Sequence, residues 1–391
     1  MKRAFRIIAA CLLAGVACGS PGATEPAGPA GRDAGRWVRI PEGPLSARRA
    51  ANAFDVDGIL YVLGGTEADP CPPNADCVLP KEGPQSDGAA FDPATGEWRS
   101  IAPAPVTFDY AAGTVVGDRI YLLTYGLGPR AEVSFLGYST TEDLWAELPT
   151  PPKPEWRFLI PFEDDLIAYQ GSQENGIAND YVFDVATKEW SALPVDPLAP
   201  TFDRSMVWTG DEIVLLGLPH VDNPGAEGPS LYEVATLSPG HEWRHLPASE
   251  VSFNTPSWHF AGGKVVNSSI LTSDGGETNN YGRAYPTGGI FDPATEEWGE
   301  LSNPPEHDYQ AFEDHITGIY VGGDTWVTAG DGWAFHVPTG RWAPLTRPDG
   351  APQYETAATW VGDRLAIWGG VSWNGSQGRL HNDGWMWEPP S

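Results

Sequence analysis

Short apolar runs, each opened by a pair of turn residues, recur along the chain. Asp57-Gly58 precedes Ile-Leu-Tyr-Val-Leu, Gly117-Asp118 precedes Arg-Ile-Tyr-Leu-Leu, and Asp164-Asp165 precedes Leu-Ile-Ala-Tyr. Gly210-Asp211 then opens Glu-Ile-Val-Leu-Leu, Gly262-Gly263 opens Lys-Val-Val, and Gly362-Asp363 opens Arg-Leu-Ala-Ile-Trp. Runs this dense and this short predict strands buried on both faces, and no stretch shows the periodicity of a helix. A second element follows most runs: residues 91–98 read FDPATGEW, with variants at 138–145 (YSTTEDLW), 183–190 (FDVATKEW), 236–243 (TLSPGHEW), 291–298 (FDPATEEW) and 335–342 (FHVPTGRW). Each reads as strand, tight turn, strand, because Asp and Thr side chains cap their own backbone and Gly accepts a positive φ. The repeating unit is therefore a four-stranded antiparallel meander in an all-β chain.

The final Trp of each motif falls at Trp98, Trp145, Trp190, Trp243, Trp298 and Trp342, and Trp37 stands one period upstream. The spacing is about 51 residues, near the ~50 of kelch repeats. A glycine pair ends the second strand at Gly64-Gly65 and Gly369-Gly370, an aromatic sits on the third strand, and Trp marks the fourth. In these features residues 36–388 resemble the kelch branch of the β-propellers, which also holds the propeller of galactose oxidase and bacterial N-acetylneuraminate epimerases. First strands are expected near Ala50, Ala111, Trp156, Met206, Trp258, Ile316 and Ala357, but only six Trp motifs follow them. Residues 36–40 supply the missing outer strand, so that pairing the N-terminal segment with the last blade closes a ring of seven and protects both edges. The alternative count is six, since the turn at Gly322-Gly323-Asp324 admits a different parse.

The first 35 residues stand outside the propeller. Lys2, Arg3 and Arg6 precede an apolar stretch at 7–17, the pattern of a signal peptide and too short to span a bilayer. Ala14-Gly15-Val16-Ala17-Cys18 resembles a bacterial lipobox, which implies residues 1–17 as signal peptide, Cys18 as the lipidated residue, and 18–35 as a Gly/Pro/Ala tether to a propeller at 36–391. The lipobox places the protein on the bacterial cell envelope. An ordinary secretory signal is the alternative, with Gly15 a departure from the commonest lipobox residue. Cys71 and Cys77, with five residues between them in the insertion at 66–87, are expected to form a disulfide, which an oxidising compartment permits.

Charge narrows the partners. With 23 Lys and Arg against 52 Asp and Glu, the net charge of −29 repels nucleic acid and anionic lipid, leaving contact with a membrane only through the N-terminal lipid. A neutral glycan or another small polar ligand is compatible, and a monomer is expected. Inter-blade segments and the long loops share one face in kelch-like propellers. Polar and aromatic residues cluster there, just before the first strands: Arg48, Asp109, Tyr110, Arg157, Asp203, Arg204, His307, Asp308, Tyr309, Tyr354 and Glu355. Carboxylates, guanidinium groups and aromatic faces suit a sugar, whose hydroxyls take hydrogen bonds and whose apolar faces stack. Trp373, in the polar stretch 371–382, is a further stacking candidate. Equivalent positions in each repeat can equally tie loops to neighbouring blades.

No metal or cofactor is expected. The copper radical site of galactose oxidase needs a Cys cross-linked to Tyr, and the only Cys within the propeller are Cys71 and Cys77. Asp55-Val-Asp57-Gly58 is explained by a hairpin turn, since no later Glu completes a calcium loop. The resemblance admits a sugar epimerase or mutarotase using an acid and a base at the channel mouth. A binding module needs only the wall, and a protein interaction scaffold is the third possibility.

Overall fold

A computed structural model describes residues 34–391 except 73, 74, 76, 78–82, 127–131, 154, 155, 199, 221–230, 250–256, 269–288, 303, 305–314, 317 and 331. Strand β1 (Arg36–Ile40) comes first, and five four-stranded antiparallel sheets of consecutive strands follow. These are β2 (Asn52–Val56) to β5 (Glu97–Ser100), β6 (Ala112–Val116) to β9 (Leu144–Leu148), β10 (Phe158–Phe162) to β13 (Glu189–Ala192), β14 (Thr201–Trp208) to β17 (Trp243–Leu246), and β18 (Trp258–Ala261) to β21 (Glu297–Glu300). The sixth sheet contains β22 (Trp326–Thr328), β23 (Trp333–His336) and β24 (Arg341–Pro344). The seventh joins β25 (Ala357–Val361), β26 (Arg364–Trp368) and β29 (Gly384–Glu388), with the hairpin β27 (Val371–Asn374) and β28 (Gln377–Leu380) inserted before β29.

The ring closes as the repeat count requires. Strand β1 lies antiparallel on β29, with Trp37 opposite Trp387 and Ile40 opposite Gly384, and so becomes the outer strand of blade 7. Blade 6 departs from the expected four-stranded form. Residues 318–323 occupy its innermost position, yet they meet β22 through a single bridge between Gly322 and Val327. Backbone bonds run from Gly323 N–H to Trp326 O at 2.8 Å and from Thr328 N–H to Val321 O at 3.0 Å, and the Thr328 hydroxyl adds to them, accepting from Val321 N–H at 2.9 Å and donating to Ile319 O at 2.7 Å.

The interior explains the unbroken apolar runs. Seven hydrophobic clusters occupy the seams between adjacent blades. Side chains alternate across a strand, so Leu60 and Val62 of β3 (Ile59–Leu63) face blade 7 while Tyr61 and Leu63 face blade 2. A strand buried on both sides has no polar phase.

Two devices join the blades. In five of them the motif Trp donates its indole N–H to a carbonyl just past the preceding blade's outer strand: Trp98 to Pro41, Trp145 to Ala102, Trp190 to Pro149, Trp243 to Pro194 and Trp342 to Ser302, at 2.6–2.9 Å. Four of these indoles also pack on their own blade's third-strand aromatic, Phe91, Tyr138, Phe183 and Phe335, with centroids 4.9–5.1 Å apart, while Trp243 stands opposite Leu237. The other device is the glycine pair. Gly65 (φ 92°) donates to Phe108 O in the next blade, and Gly370 (φ 104°) donates to Arg48 O across the closure. A Cβ would stand 2.9 Å from Arg49 O at Gly65 and 2.6 Å from Tyr354 O at Gly370, so no other residue fits there.

Candidate functional site

Backbone rungs at the loop face set the site's geometry. Ala50 N–H donates to Glu355 O at 3.1 Å, and Tyr110 N–H donates to Ala50 O at 3.3 Å, linking blades 7, 1 and 2 just before their first strands. All three residues have positive φ, at 54°, 22° and 54° for Ala50, Tyr110 and Glu355. Left-handed backbone at non-glycine residues persists only where its surroundings impose it. Here the rungs do so, and they turn Tyr110 and Glu355 toward each other: the Tyr110 hydroxyl donates to Glu355 Oε2 at 3.0 Å, and Arg49 Nη1 lies 2.5 Å from the same oxygen.

Beside this trio lies a cavity of about 480 Å³ between blades 1, 2 and 3, walled by Arg49, Asn52, Thr66, Asp109, Tyr110, Tyr125 and Trp156. Its size falls within the range of small-molecule sites. Two of its walls are open aromatic surfaces. Trp156 is 51% exposed and leans on Tyr125, ring centroids 4.6 Å apart, while Tyr110 is 54% exposed. Burial pushes the Asp109 carboxyl above the usual carboxylate range, with Arg49 opposing and Glu355 reinforcing the rise. Burial, then the Glu355 carboxylate, holds the Tyr110 hydroxyl above the ordinary phenol range. The wall offers a cation, a protonatable acid and two stacking faces within one concavity.

Of the residues singled out from the sequence, Asp109 and Tyr110 line this cavity, and Glu355 lies just behind it in the wall of the central channel. The arginines are displaced by one position. Arg48 is 1% exposed and bound to Gly64 O, Ser46 and Asp87, whereas its neighbour Arg49 reaches the cavity. Likewise Arg157 is buried against Asn179 O and the Tyr181 ring, and Trp156 takes the wall. Arg204 is buried too, donating to Gln170 O in blade 3 and to Asp180 and Asp196. These three guanidinium groups therefore fasten loops to blades.

Asp203, left-handed at φ 47°, lies in blade 4 away from the cavity, its carboxyl pushed up to about 6 by burial and then by Glu174. Tyr354 is partly exposed and its backbone pairs with Val371. Trp373 lies in the β27–β28 hairpin rather than in a loop, half-buried and opposite Gly378, where an added Cβ would meet both its ring and Pro70. It lines neither this cavity nor the channel. His307, Asp308, Tyr309 and Cys18 fall outside the described residues. Cys71 and Cys77 form the expected disulfide.

Sequence reasoning missed a repeated carboxylate and an amide. Asp87, Asp180 and Asp383 each stand one residue before a third strand and hold the loop-face arginine, backbone or histidine of their seam. The signal is present in Ser86-Asp87-Gly88, Asn179-Asp180-Tyr181 and Asn382-Asp383-Gly384. Asn52, on the innermost strand of blade 1, carried no such signal. Among the described residues no group of three or more His, Cys, Asp or Glu side chains could hold a metal ion.

No protein-family model matches the chain. The Kelch-like protein terF of Aspergillus terreus (strain NIH 2624 / FGSC A1156) is 30% identical over 173 residues, 40% of this chain and 35% of that protein. The match thus spans about a third of the relative's length. A solved structure of YjhT aligns over 88% of this chain and 96% of its own with a TM-score of 0.43 and 13% identity, too loose a likeness to carry an argument. The Trp motifs, the glycine pairs and the seven blade seams make this chain a seven-bladed β-propeller, and the partial match to a Kelch-like protein supports the kelch type.

Proposed function

We propose that this propeller is an exported, envelope-anchored binding protein that takes a carbohydrate in the cavity between blades 1, 2 and 3. A kelch propeller is a scaffold for binding or interaction. The observation that carries the finer reading is the pair of open aromatic faces, Trp156 on Tyr125 and Tyr110, set around Arg49 and Asp109. Flat rings pack on the C–H faces of a sugar while fixed charges take its hydroxyls. The small, concave cavity favours such a ligand over a protein partner, which would need a wider surface. Export rests on the signal-like segment, Cys18, and a disulfide that an oxidising compartment sustains. A glycan array probed with residues 34–391 and with Trp156→Ala tests the reading: several hits for the first and none for the second support it, and no hit for the first refutes it.

Asp109 favours a second reading, a mutarotase or epimerase. A carboxyl raised by burial carries protons near neutral pH more readily than an ordinary one, as a general acid requires. Anomer exchange catalysed by the propeller and abolished in Asp109→Asn would establish it.

A further inference from the structure

The cavity is not isolated. A second space of about 620 Å³ opens into the central channel, walled by the small residues of the first strands, among them Ala51, Ala53, Gly113 and Ala358. Asn52, Tyr110 and Ala111 line both spaces. The two therefore meet along one ridge, and each alone is large enough for a small ligand.

Asn52 stands at that junction in a fixed orientation. Ala111 N–H donates to its Oδ1 at 3.1 Å, and an N–H can only be met there by the amide oxygen. Its Nδ2 must then point the other way. That nitrogen is buried and has no partner among the described residues, although a buried donor without an acceptor is costly. Most buried amides are satisfied, so a lone oriented donor at the meeting of two cavities marks a place where an acceptor belongs.

Resting on the carbohydrate reading, we propose that the side cavity and the channel mouth form one bent site for a sugar at least two rings long, with Asn52 Nδ2 donating to an oxygen near the linkage. One ring sits between Tyr110 and Trp156. The next enters the channel, where alanines and glycines leave room and Glu355 offers an acceptor. Tyr110 forms the ridge that the ligand crosses, and its bond to Glu355 holds that ridge in place.

Asn52→Asp separates this role from a structural one. The substitution keeps the acceptor that Ala111 N–H requires and removes only the donor. Calorimetric titration of glucose, cellobiose, maltose and lactose into residues 34–391 and into this variant provides the test. The expected result is at least one disaccharide binding ten-fold or more tightly than glucose, with that margin reduced about ten-fold in Asn52→Asp. Asn52→Ala guards against the added charge and should reduce the margin as well. If sugars bind but the disaccharides gain nothing over glucose, or both variants keep the full margin, the two-ring site is overturned and the carbohydrate reading survives. If no sugar binds the intact propeller, both fall together.

Discussion

Removing residues 34–40, so that the chain begins at Pro41, takes the outer strand from blade 7 and leaves every other blade intact. The loss can be estimated from what that strand touches. Ile40 is 3% exposed in the seam between blades 7 and 1, and burying such a side chain stabilises by about 1.5–3 kcal/mol. The five-residue antiparallel register with Gly384–Glu388 carries several backbone hydrogen bonds, each worth a net of about 1 kcal/mol. Trp37 packs on the seam of blades 6 and 7, and the Trp387 indole N–H loses its acceptor at Ala34 O, 3.1 Å away. The ion pairs Arg36–Glu388 and Arg39–Asp383 lie on the surface and add little. The total is roughly 6–9 kcal/mol, a large fraction of the ~5–15 kcal/mol that holds a domain folded. Thermal and urea unfolding of 34–391 against 41–391 should therefore show a midpoint lower by on the order of 10 °C. Amide exchange should accelerate first along Gly384–Glu388. Coincident melting curves, with protection of that strand unchanged, would refute the idea that β1 closes the ring.

Four further outcomes are expected. Trp342→Phe keeps the ring that packs on Phe335 but removes the hook to Ser302 O, costing about 1 kcal/mol, whereas Trp342→Ala should cost about 3–5 kcal/mol in urea denaturation. Asp203 has a folded pKa of about 6, above its unfolded value, so its contribution is fully present below the unfolded pKa and is lost as pH rises through 6. Asp203→Asn should consequently melt higher than the parent at pH 8, with the difference vanishing near pH 4. Trp156→Ala should weaken sugar binding by about 1–3 kcal/mol in titration calorimetry while leaving the melting temperature nearly unchanged, because the indole is half open to solvent. Mass spectrometry of the full chain from a bacterial host should find lipid on Cys18, and Cys18→Ala should leave the membrane fraction.

The fold was legible because its defining constraint is local. A central strand buried on both faces must be apolar throughout, and the turn after it must be built from Asp, Thr and Gly, so each blade announces itself without reference to the others. Closure was legible too, since a leftover outer strand at one end matched a missing one at the other. Blade 6 was harder, because its inner segment pairs irregularly with β22 and bonds partly through the Thr328 hydroxyl. The candidate cavity lies among the loop-face residues marked from the sequence, but several of its lining residues are their neighbours. Adjacent residues at the start of a strand point to opposite sides, so shifting one position moves the chosen side chain from the cavity into the seam. That is why Arg48 and Arg157 are buried while Arg49 and Trp156 form the wall. Asn52 could not have been found at all, since its free donor is defined by Ala111, a residue of another blade.

The tryptophan hooks have a bearing on how such a chain arises. In the five hooked blades donor and acceptor occupy the same two places, one near the unit's end and one immediately after the unit before it. A tandem duplication of one unit thus copies both halves of the joint at once, and the newcomer can attach to either neighbour without any new contact having to evolve. What such a duplication cannot copy is curvature, because an added unit changes the angle each seam must span. Growth of the ring is therefore limited by seam geometry, at the seven apolar layers, and not by the chemistry of the links.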